Sequence, residues 1–141
     1  MLNLELVFSL AGLIAMAGWF LLLISPVMPV WSDRIAGLIA PSVLSIGYVM
    51  LIVFLPSEGE GGFGSLAEVT QLFANENSVL AGWVHYLAFD LFVGAWICRT
   101  ARRVKISFWF VAPCSPLTFL FGPAGYLAFI ACQQASRLKR T

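Results

Sequence analysis

The sequence predicts an all-α, integral membrane protein: a bundle of four transmembrane helices, with a short interfacial amphipathic helix between spans two and three. The 141-residue chain is 60% hydrophobic and only 11% charged, and its mean hydropathy is +0.91. Average globular domains have about 25% charged residues. The apolar residues also form four stretches close to the roughly 20 residues that cross a bilayer as a helix. We therefore expect a single transmembrane domain over residues 1–141.

The predicted spans cover about residues 4–24, 35–55, 79–98 and 108–132. The second span is expected to kink at Pro41. The fourth contains Pro113, Pro116 and Pro123, which allows two interpretations: kinks tolerated in a bundle, or a cavity wall or re-entrant entry. In lipid, the backbone groups freed by proline need partners in neighbouring helices or water. Within this span, FGPAG (Phe121–Gly125) is interpreted as a kinked helix contact.

A short helix is predicted between spans two and three, after the flexible acidic loop of residues 56–64. Ser65 and Glu68 have the spacing of a capping box, and one face of the helix is apolar, formed by Leu66, Val69, Leu72 and Phe73. This helix should end near Asn75 and lie on the membrane surface. It is either a linker resting on the bilayer or a lid over an opening between spans.

Charges and cysteines exclude several classes of function. A formal net charge of +1 gives no reason to expect nucleic acid as a partner, because phosphate binding requires a concentrated basic face. The cysteines Cys98, Cys114 and Cys132 are too widely spaced to indicate a disulfide framework or a zinc site.

The basic residues lie on both sides of the predicted four-span bundle, and their numbers predict its orientation in the membrane. With four spans, Arg34 and the cluster Arg99–Lys105 would lie on one side, and Arg137, Lys139 and Arg140 on the other. The resulting count is five against three. It favours the two short loops inside and both termini outside.

The third span has two ionisable side chains in an otherwise apolar run, GWVHYLAFDLFVG (Gly82–Gly94). His85 is the only histidine of the chain, and Asp90 follows five residues later. A charge at the centre of a membrane helix costs about 2.5–3.5 kcal/mol on insertion scales, so such residues tend to mark function.

Helix geometry separates these two side chains. Five residues correspond to about 500° of rotation, so His85 and Asp90 point about 140° apart and should not form a direct hydrogen bond within one helix. Either the third helix is central and contacts others on both sides, or each residue meets its own partner. Gly82 and Gly94 permit the close approach of a neighbour or a ligand on these faces.

The two side chains suit acid–base chemistry. No span supplies a basic partner for Asp90, so desolvation favours the neutral acid, which can donate a hydrogen bond or a proton. A buried His85 should be neutral and able to accept one. Such a donor and acceptor in an apolar cavity suit isomerisation of an apolar substrate by proton transfer. The structural alternative for each is a polar contact between helices, with a partner such as Ser42, Ser45, Tyr48 or Thr118.

Two motifs resemble a known family. WVHYLAFDLFVGAWI (Trp83–Ile97) and APCSPLTFLFGPAGYL (Ala112–Leu127) resemble the small membrane family of the plant abscisic-acid-deficient-four protein, the neoxanthin synthase, and its bacterial relatives. The resemblance implies carotenoid metabolism: the plant members open a 5,6-epoxide of violaxanthin to the allenic alcohol of neoxanthin. That isomerisation needs an acid at the epoxide oxygen and a base at a neighbouring carbon-bound hydrogen, and His85 and Asp90 occupy the matching positions.

We therefore expect a carotenoid- or isoprenoid-modifying membrane isomerase, similar to neoxanthin synthase, with Asp90 as acid and His85 as base. No cofactor or metal ion is expected. The residues expected to bind the substrate are the aromatic side chains of the same helix, Tyr86, Phe89, Trp83 and Trp96. The expected partners are membrane lipids, a carotenoid or other polyisoprenoid, and a second copy of the chain in a homo-oligomer.

Other classes of function stay open. One is a non-catalytic membrane protein that binds carotenoid or lipid, or that serves as an assembly partner in a larger complex. Another is a haem protein using His85, although one histidine supplies two axial ligands only if a dimer shares the haem. No Arg- and Ser-rich transit segment precedes the first span, so we expect either a prokaryotic protein, in a bacterial inner membrane, or a chain that has already been processed. The resemblance implies a plastid membrane for the plant relatives.

Overall fold

The computed structural model describes residues 3–56 and 61–138, except for the side chain of residue 137. Residues 57–60, in the predicted acidic loop, lie outside this part. Within the described residues the elements are helices and turns, with no strand, which agrees with the predicted all-α class. In chain order they are α1 (Leu4–Leu23), α2 (Pro29–Arg34), a π-helical turn (Ile35–Ile39), α3 (Ala40–Phe54), α4 (Leu66–Leu72), α5 (Glu76–Arg103), α6 (Phe108–Val111), α7 (Cys114–Phe121) and α8 (Pro123–Leu138).

Three helices in the described part are long and apolar enough to cross a membrane: α1, the continuous rod Pro29–Phe54, and α5. They correspond to the first three predicted spans. The rod begins before the predicted start of the second span, because Pro29 is a favoured first helical residue. It consists of α2, the π-helical turn and α3. The helix α5 extends beyond the third predicted span at both ends, and the Asn75 side chain accepts a hydrogen bond from the Asn77 N–H at its start.

The kink predicted at Pro41 takes the form of the π-helical turn. Proline has no N–H and its ring crowds the carbonyl group four residues earlier. The π-helical turn lies immediately before it, and there the Ala40 N–H bonds to the carbonyl of Ile35, five residues back. The wider turn therefore absorbs the disturbance inside a continuous rod.

The predicted amphipathic helix is present as α4. Its capping box is formed in part, since the Ser65 hydroxyl accepts a 3.2 Å hydrogen bond from the Glu68 N–H. The Glu68 carboxylate accepts instead from the Gly64 N–H. At the C-terminal end of α4, Leu72 and Phe73 face the junction of α3 and α5.

The fourth predicted span, residues 108–132, differs from the prediction of one helix because the chain reverses within it. Gly122 separates α7 from α8 with φ +22° and ψ −81°, a conformation that L side chains rarely adopt, and Pro123 then begins α8. The two helices pack against each other as a hairpin. A Cβ atom added to Gly125 would lie 2.4 Å from the Thr118 backbone nitrogen, whereas a straight helix would separate these residues by about 10 Å.

The α7–α8 hairpin lies along the C-terminal half of α5. Its helix α7 runs towards the middle of α5, and α8 returns towards Arg103. A buried cluster holds the three helices together with α6, and it consists of Ile97, Ala101, Val111, Cys114 and Phe129. Both ends of the hairpin therefore lie near the same end of α5.

The reversal brings Cys114 and Cys132 together, close enough for a hydrogen bond between their thiol groups. A straight helix would place them about 27 Å apart. We expect mild iodine oxidation of a Cys98→Ala variant to join them in an intramolecular disulfide, because disulfides require Cα atoms within about 7 Å. Mass spectrometry of the digested chain identifies the linked peptides.

The control for this cross-link is the same variant with Cys132→Ser, which should yield no linked peptide. If both thiols of the Cys98→Ala chain stay free under conditions that oxidise all thiols of a denatured sample, the hairpin is contradicted.

Candidate functional site

The helix α5 carries every residue predicted for the site and is the central helix of the fold. It is the most enclosed of the three long helices. Of its apolar 18-residue stretch, 56% is buried, against 28% for the corresponding stretches of α1 and Pro29–Phe54. It packs against α1, α3 and the α7–α8 hairpin. The close approaches predicted at two glycines are present, since Cβ atoms added to Gly82 and Gly94 would lie 2.7 Å from Phe73 and 2.6 Å from Trp19.

Asp90 is sealed between α5 and the tip of the hairpin. The residue is 8% exposed, and a Cβ atom added to Gly122 would lie 2.6 Å from its Oδ1 atom. The other carboxyl oxygen, Oδ2, is buried and has no hydrogen-bond partner among the described residues. Because a side chain at position 122 would collide with the Oδ1 atom, the glycine at the turn leaves the space that the carboxyl group occupies.

Tyr86 lies one turn before Asp90 and connects it to the hairpin. Its hydroxyl donates a 2.8 Å hydrogen bond to the backbone carbonyl of Phe119, and it is also close enough to the Asp90 carboxyl group for a hydrogen bond. A tyrosine hydroxyl has one hydrogen but can also accept. The single hydrogen can be directed either to the Phe119 carbonyl or to the Asp90 carboxyl group, and in the first case only a protonated Asp90 could donate to the tyrosine oxygen. The Tyr86 hydroxyl therefore lies between the hairpin and the carboxyl group.

His85 lies on a different face of α5, away from Asp90. Its ring stacks on Phe89 with centroids 4.7 Å apart and lies 5.2 Å from the ring of Tyr48. It borders an apolar groove of about 470 Å³ between α3, α4 and α5, called here the histidine groove, which is lined also by Tyr48, Ile52, Leu55, Leu72, Phe73 and Gly82.

A second groove lies between α1, α4 and α5 and is called here the tyrosine groove. It measures about 630 Å³ and is lined by Phe8, Trp83 and Tyr86 together with Phe73 and Gly82. Trp83 stacks between the rings of Phe8 and Tyr86, at 5.7 and 5.5 Å. The Tyr86 side chain therefore borders this groove while its hydroxyl reaches the sealed carboxyl group of Asp90.

Phe73 separates the two grooves. Its ring rests on the bare backbone of Gly82 and lines both grooves. Because His85 and Tyr86 are consecutive in sequence, the two grooves present neighbouring residues on either side of this ring. Phe73 and Gly82 are therefore shared by the two grooves.

The other two predicted aromatic residues lie elsewhere. Phe89 is 57% exposed and lines a third groove with Pro41 and Phe92, while also stacking on His85. Trp96 packs against Tyr126 and Phe129 of α8. The structure therefore brings Trp83 and Tyr86 together in the tyrosine groove and places His85 beside Phe89. Trp96 lies outside both grooves.

The residues predicted as structural partners of His85 and Asp90 were Ser42, Ser45, Tyr48 and Thr118. Of these, Tyr48 meets His85 through its ring, whereas the Thr118 hydroxyl donates to the Cys114 carbonyl within its own helix. Sequence reasoning missed Gly122 and Phe73 as parts of the site. The Gly-Pro pair in FGPAG was the available signal for the first, and the apolar face of α4 for the second.

No group of three His, Cys, Asp or Glu side chains that could hold a metal ion occurs in the described part of the chain. The fold and the site define a class of small helical proteins with three helices that could cross a membrane and a sealed acid halfway along the central one. The chain belongs to the ABA4-like family (ABA DEFICIENT 4-like), whose model matches residues 6–129. Comparisons with curated proteins and with solved structures found no match.

We expect Gly122→Ala to destabilise the protein, because the new methyl group would meet the Asp90 carboxyl group and the backbone has φ +22°. Backbone strain of this kind costs about 1–3 kcal/mol. The measurement is the thermal unfolding midpoint in detergent. Gly47→Ala is the matched control, since a Cβ atom there meets nothing within 4 Å. Equal midpoints for the two variants would show that the tip of the hairpin does not need glycine.

Proposed function

We propose that this protein is a membrane-embedded, neoxanthin-synthase-like enzyme that isomerises a carotenoid or related isoprenoid by proton transfer. Membership of the ABA4-like family supports a carotenoid-related role. The observation that carries the proposal is the buried carboxyl group of Asp90 next to the hydroxyl of Tyr86, whose side chain borders a largely apolar groove. Such an arrangement keeps an acidic proton away from water and close to an apolar binding surface.

Membrane insertion is supported by the outward faces of the long helices. Large apolar side chains project there without cover, with Leu13, Phe20 and Phe54 between 64% and 72% exposed. An apolar surface of this extent is unusual on a soluble monomer. We propose that α1, the rod Pro29–Phe54 and α5 cross the bilayer, and that α4 lies at its surface.

The hairpin changes the proposed arrangement from four spans to three spans with a re-entrant hairpin. In this arrangement Arg34, the cluster Arg99–Lys105 and the C-terminal end of α8 share one side, and Lys139 and Arg140 follow directly in sequence. All eight basic residues then belong to that side, where Asp33 pairs with Arg102. Glu5, Glu68 and Glu76 belong to the other. This asymmetry satisfies the positive-inside rule, so we propose that the basic side faces the cytoplasm.

The two grooves at α4 suit a long apolar substrate. Their walls are mainly aliphatic and aromatic, with Glu5 and Glu76 also lining the tyrosine groove, and such walls suit a polyene or isoprenoid chain. We propose that the substrate lies across α5 under Phe73, with α4 acting as the lid. The substrate would then contact His85 in the histidine groove and Tyr86 in the tyrosine groove, and these two grooves meet at Gly82.

The proposed reaction uses an acid and a base. A proton that originates on Asp90 passes to the epoxide oxygen as its C–O bond breaks. His85 removes the hydrogen from the neighbouring carbon as the allene forms. Turnover leaves Asp90 ionised and His85 protonated. His85 then releases its proton to water, and Asp90 takes one up. The proton balance is zero, as an isomerisation requires.

A non-catalytic carotenoid or lipid binder is the second candidate. The separation of His85 and Asp90 onto different faces of α5 favours it, because two groups that act on one reacting centre normally border one cavity. An absorption spectrum of the purified protein and a pigment extraction distinguish a bound carotenoid, a bound haem and an empty protein.

The proposed topology predicts where a reporter domain lies. With three crossings, a reporter inserted at Gly61 should be on the opposite side of the membrane from reporters at Lys105 and at the C-terminal end. Alkaline phosphatase and green fluorescent protein fusions in a bacterial host measure this. Four crossings would instead place the C-terminal reporter with the one at Gly61, and that result would reject the re-entrant hairpin.

We expect Asp90→Asn and His85→Gln each to lower the conversion of violaxanthin at least about 100-fold, because each removes a proton-transferring group. The measurement is chromatography of pigments after incubation with protein in detergent. An epoxide-free carotenoid is the control substrate and should remain unchanged. Full activity of Asp90→Asn would reject the acid role, and bound but unconverted pigment in the wild type would favour the binder.

A further inference from the structure

We infer that Tyr86 is the residue that passes the proton to the substrate, and that Asp90 acts through it. The inference rests on the proposed isomerase function. Asp90 borders neither the histidine groove nor the tyrosine groove, so a substrate in either groove does not reach its carboxyl group directly. Tyr86 borders the tyrosine groove and is also in contact with Asp90. It is therefore the link between the sealed acid and the substrate surface.

The hairpin tip holds the Tyr86 hydroxyl in the position that this role requires. The Phe119 carbonyl accepts the Tyr86 hydroxyl hydrogen at 2.8 Å and so holds the hydroxyl beside Asp90. The neighbouring Trp83 ring, with its centroid 5.5 Å from that of Tyr86, fixes the plane of the tyrosine. On the far side, Gly122 closes over the carboxyl group. Asp90 is thus enclosed by the hairpin tip, and Tyr86 is the titratable side chain that lies beside it.

The proton moves in two coupled steps. When a substrate oxygen enters the tyrosine groove, the Tyr86 hydroxyl rotates from the Phe119 carbonyl and donates its hydrogen to that oxygen as the C–O bond of the epoxide breaks. The tyrosine oxygen simultaneously accepts the proton of Asp90, which becomes a carboxylate. Tyr86 therefore ends neutral. After the product leaves, a proton from water returns to Asp90 by the same path in reverse.

Tyr86→Phe tests this assignment because it removes the hydroxyl and keeps the ring that stacks on Trp83. We expect kcat for violaxanthin to fall about 100-fold or more with KM within threefold of the wild type. The control is Tyr126→Phe, on the ring that lies against Trp96, and its activity should equal that of the wild type. Thermal unfolding confirms that both variants are folded. Wild-type kcat in Tyr86→Phe would overturn the inference.

A spectroscopic measurement separates this inference from the proposed reaction. In infrared spectra of the purified protein, the protonated carboxyl group of Asp90 should give a C=O stretching band that disappears in Asp90→Asn and shifts in Tyr86→Phe. If the wild type does not convert violaxanthin, the proposed reaction fails, and a band that shifts still supports the Asp90–Tyr86 link. A wild-type protein without this band, or a band unchanged in Tyr86→Phe, overturns the inference whether or not the protein is active.

Discussion

A carboxyl group halfway along an apolar helix is costly unless other parts of the fold bring polar groups to it. This constraint determines how the helices are arranged around Asp90. The tip of the α7–α8 hairpin brings such groups. A chain reversal leaves backbone carbonyls at the end of one helix without partners in that helix, and the Phe119 carbonyl accepts from Tyr86. Gly122 then allows the turn to approach the carboxyl group. The polar groups of the turn and of α5 therefore stabilise each other in an otherwise apolar interior.

The same central helix separates two environments. One face of α5 carries Tyr86 and Asp90 towards the hairpin, and the face with His85 meets α3 and α4. The two side chains therefore do not form a direct ion pair. The grooves that border these two faces share Gly82 and the ring of Phe73, which lies on the Gly82 backbone. The C-terminal end of α4 therefore borders both grooves.

The proposed re-entrant hairpin would also account for the distribution of charge. Four crossings would divide the basic residues five against three, whereas a hairpin that enters and returns on one side would leave Arg34 and the cluster Arg99–Lys105 on the side where α8 ends. The lengths agree with this arrangement: α7 has 8 residues, far fewer than the roughly 20 needed to cross a bilayer. The proposed orientation and the proposed sealed acid consequently depend on the same turn at Gly122.

The sequence by itself determined the three long apolar helices, the Ser65 cap of α4, and the divergence of His85 and Asp90 around one helix, because hydropathy, capping and helical rotation are local properties. Only the tertiary structure decided that residues 108–132 reverse. A Gly-Pro pair permits either a kink or a turn, and the choice depends on distant contacts, such as Phe129 with Ile97 and Ala101. For the same reason the sequence showed that Asp90 needs a partner, and the fold identified the partners as Tyr86 and the hairpin tip.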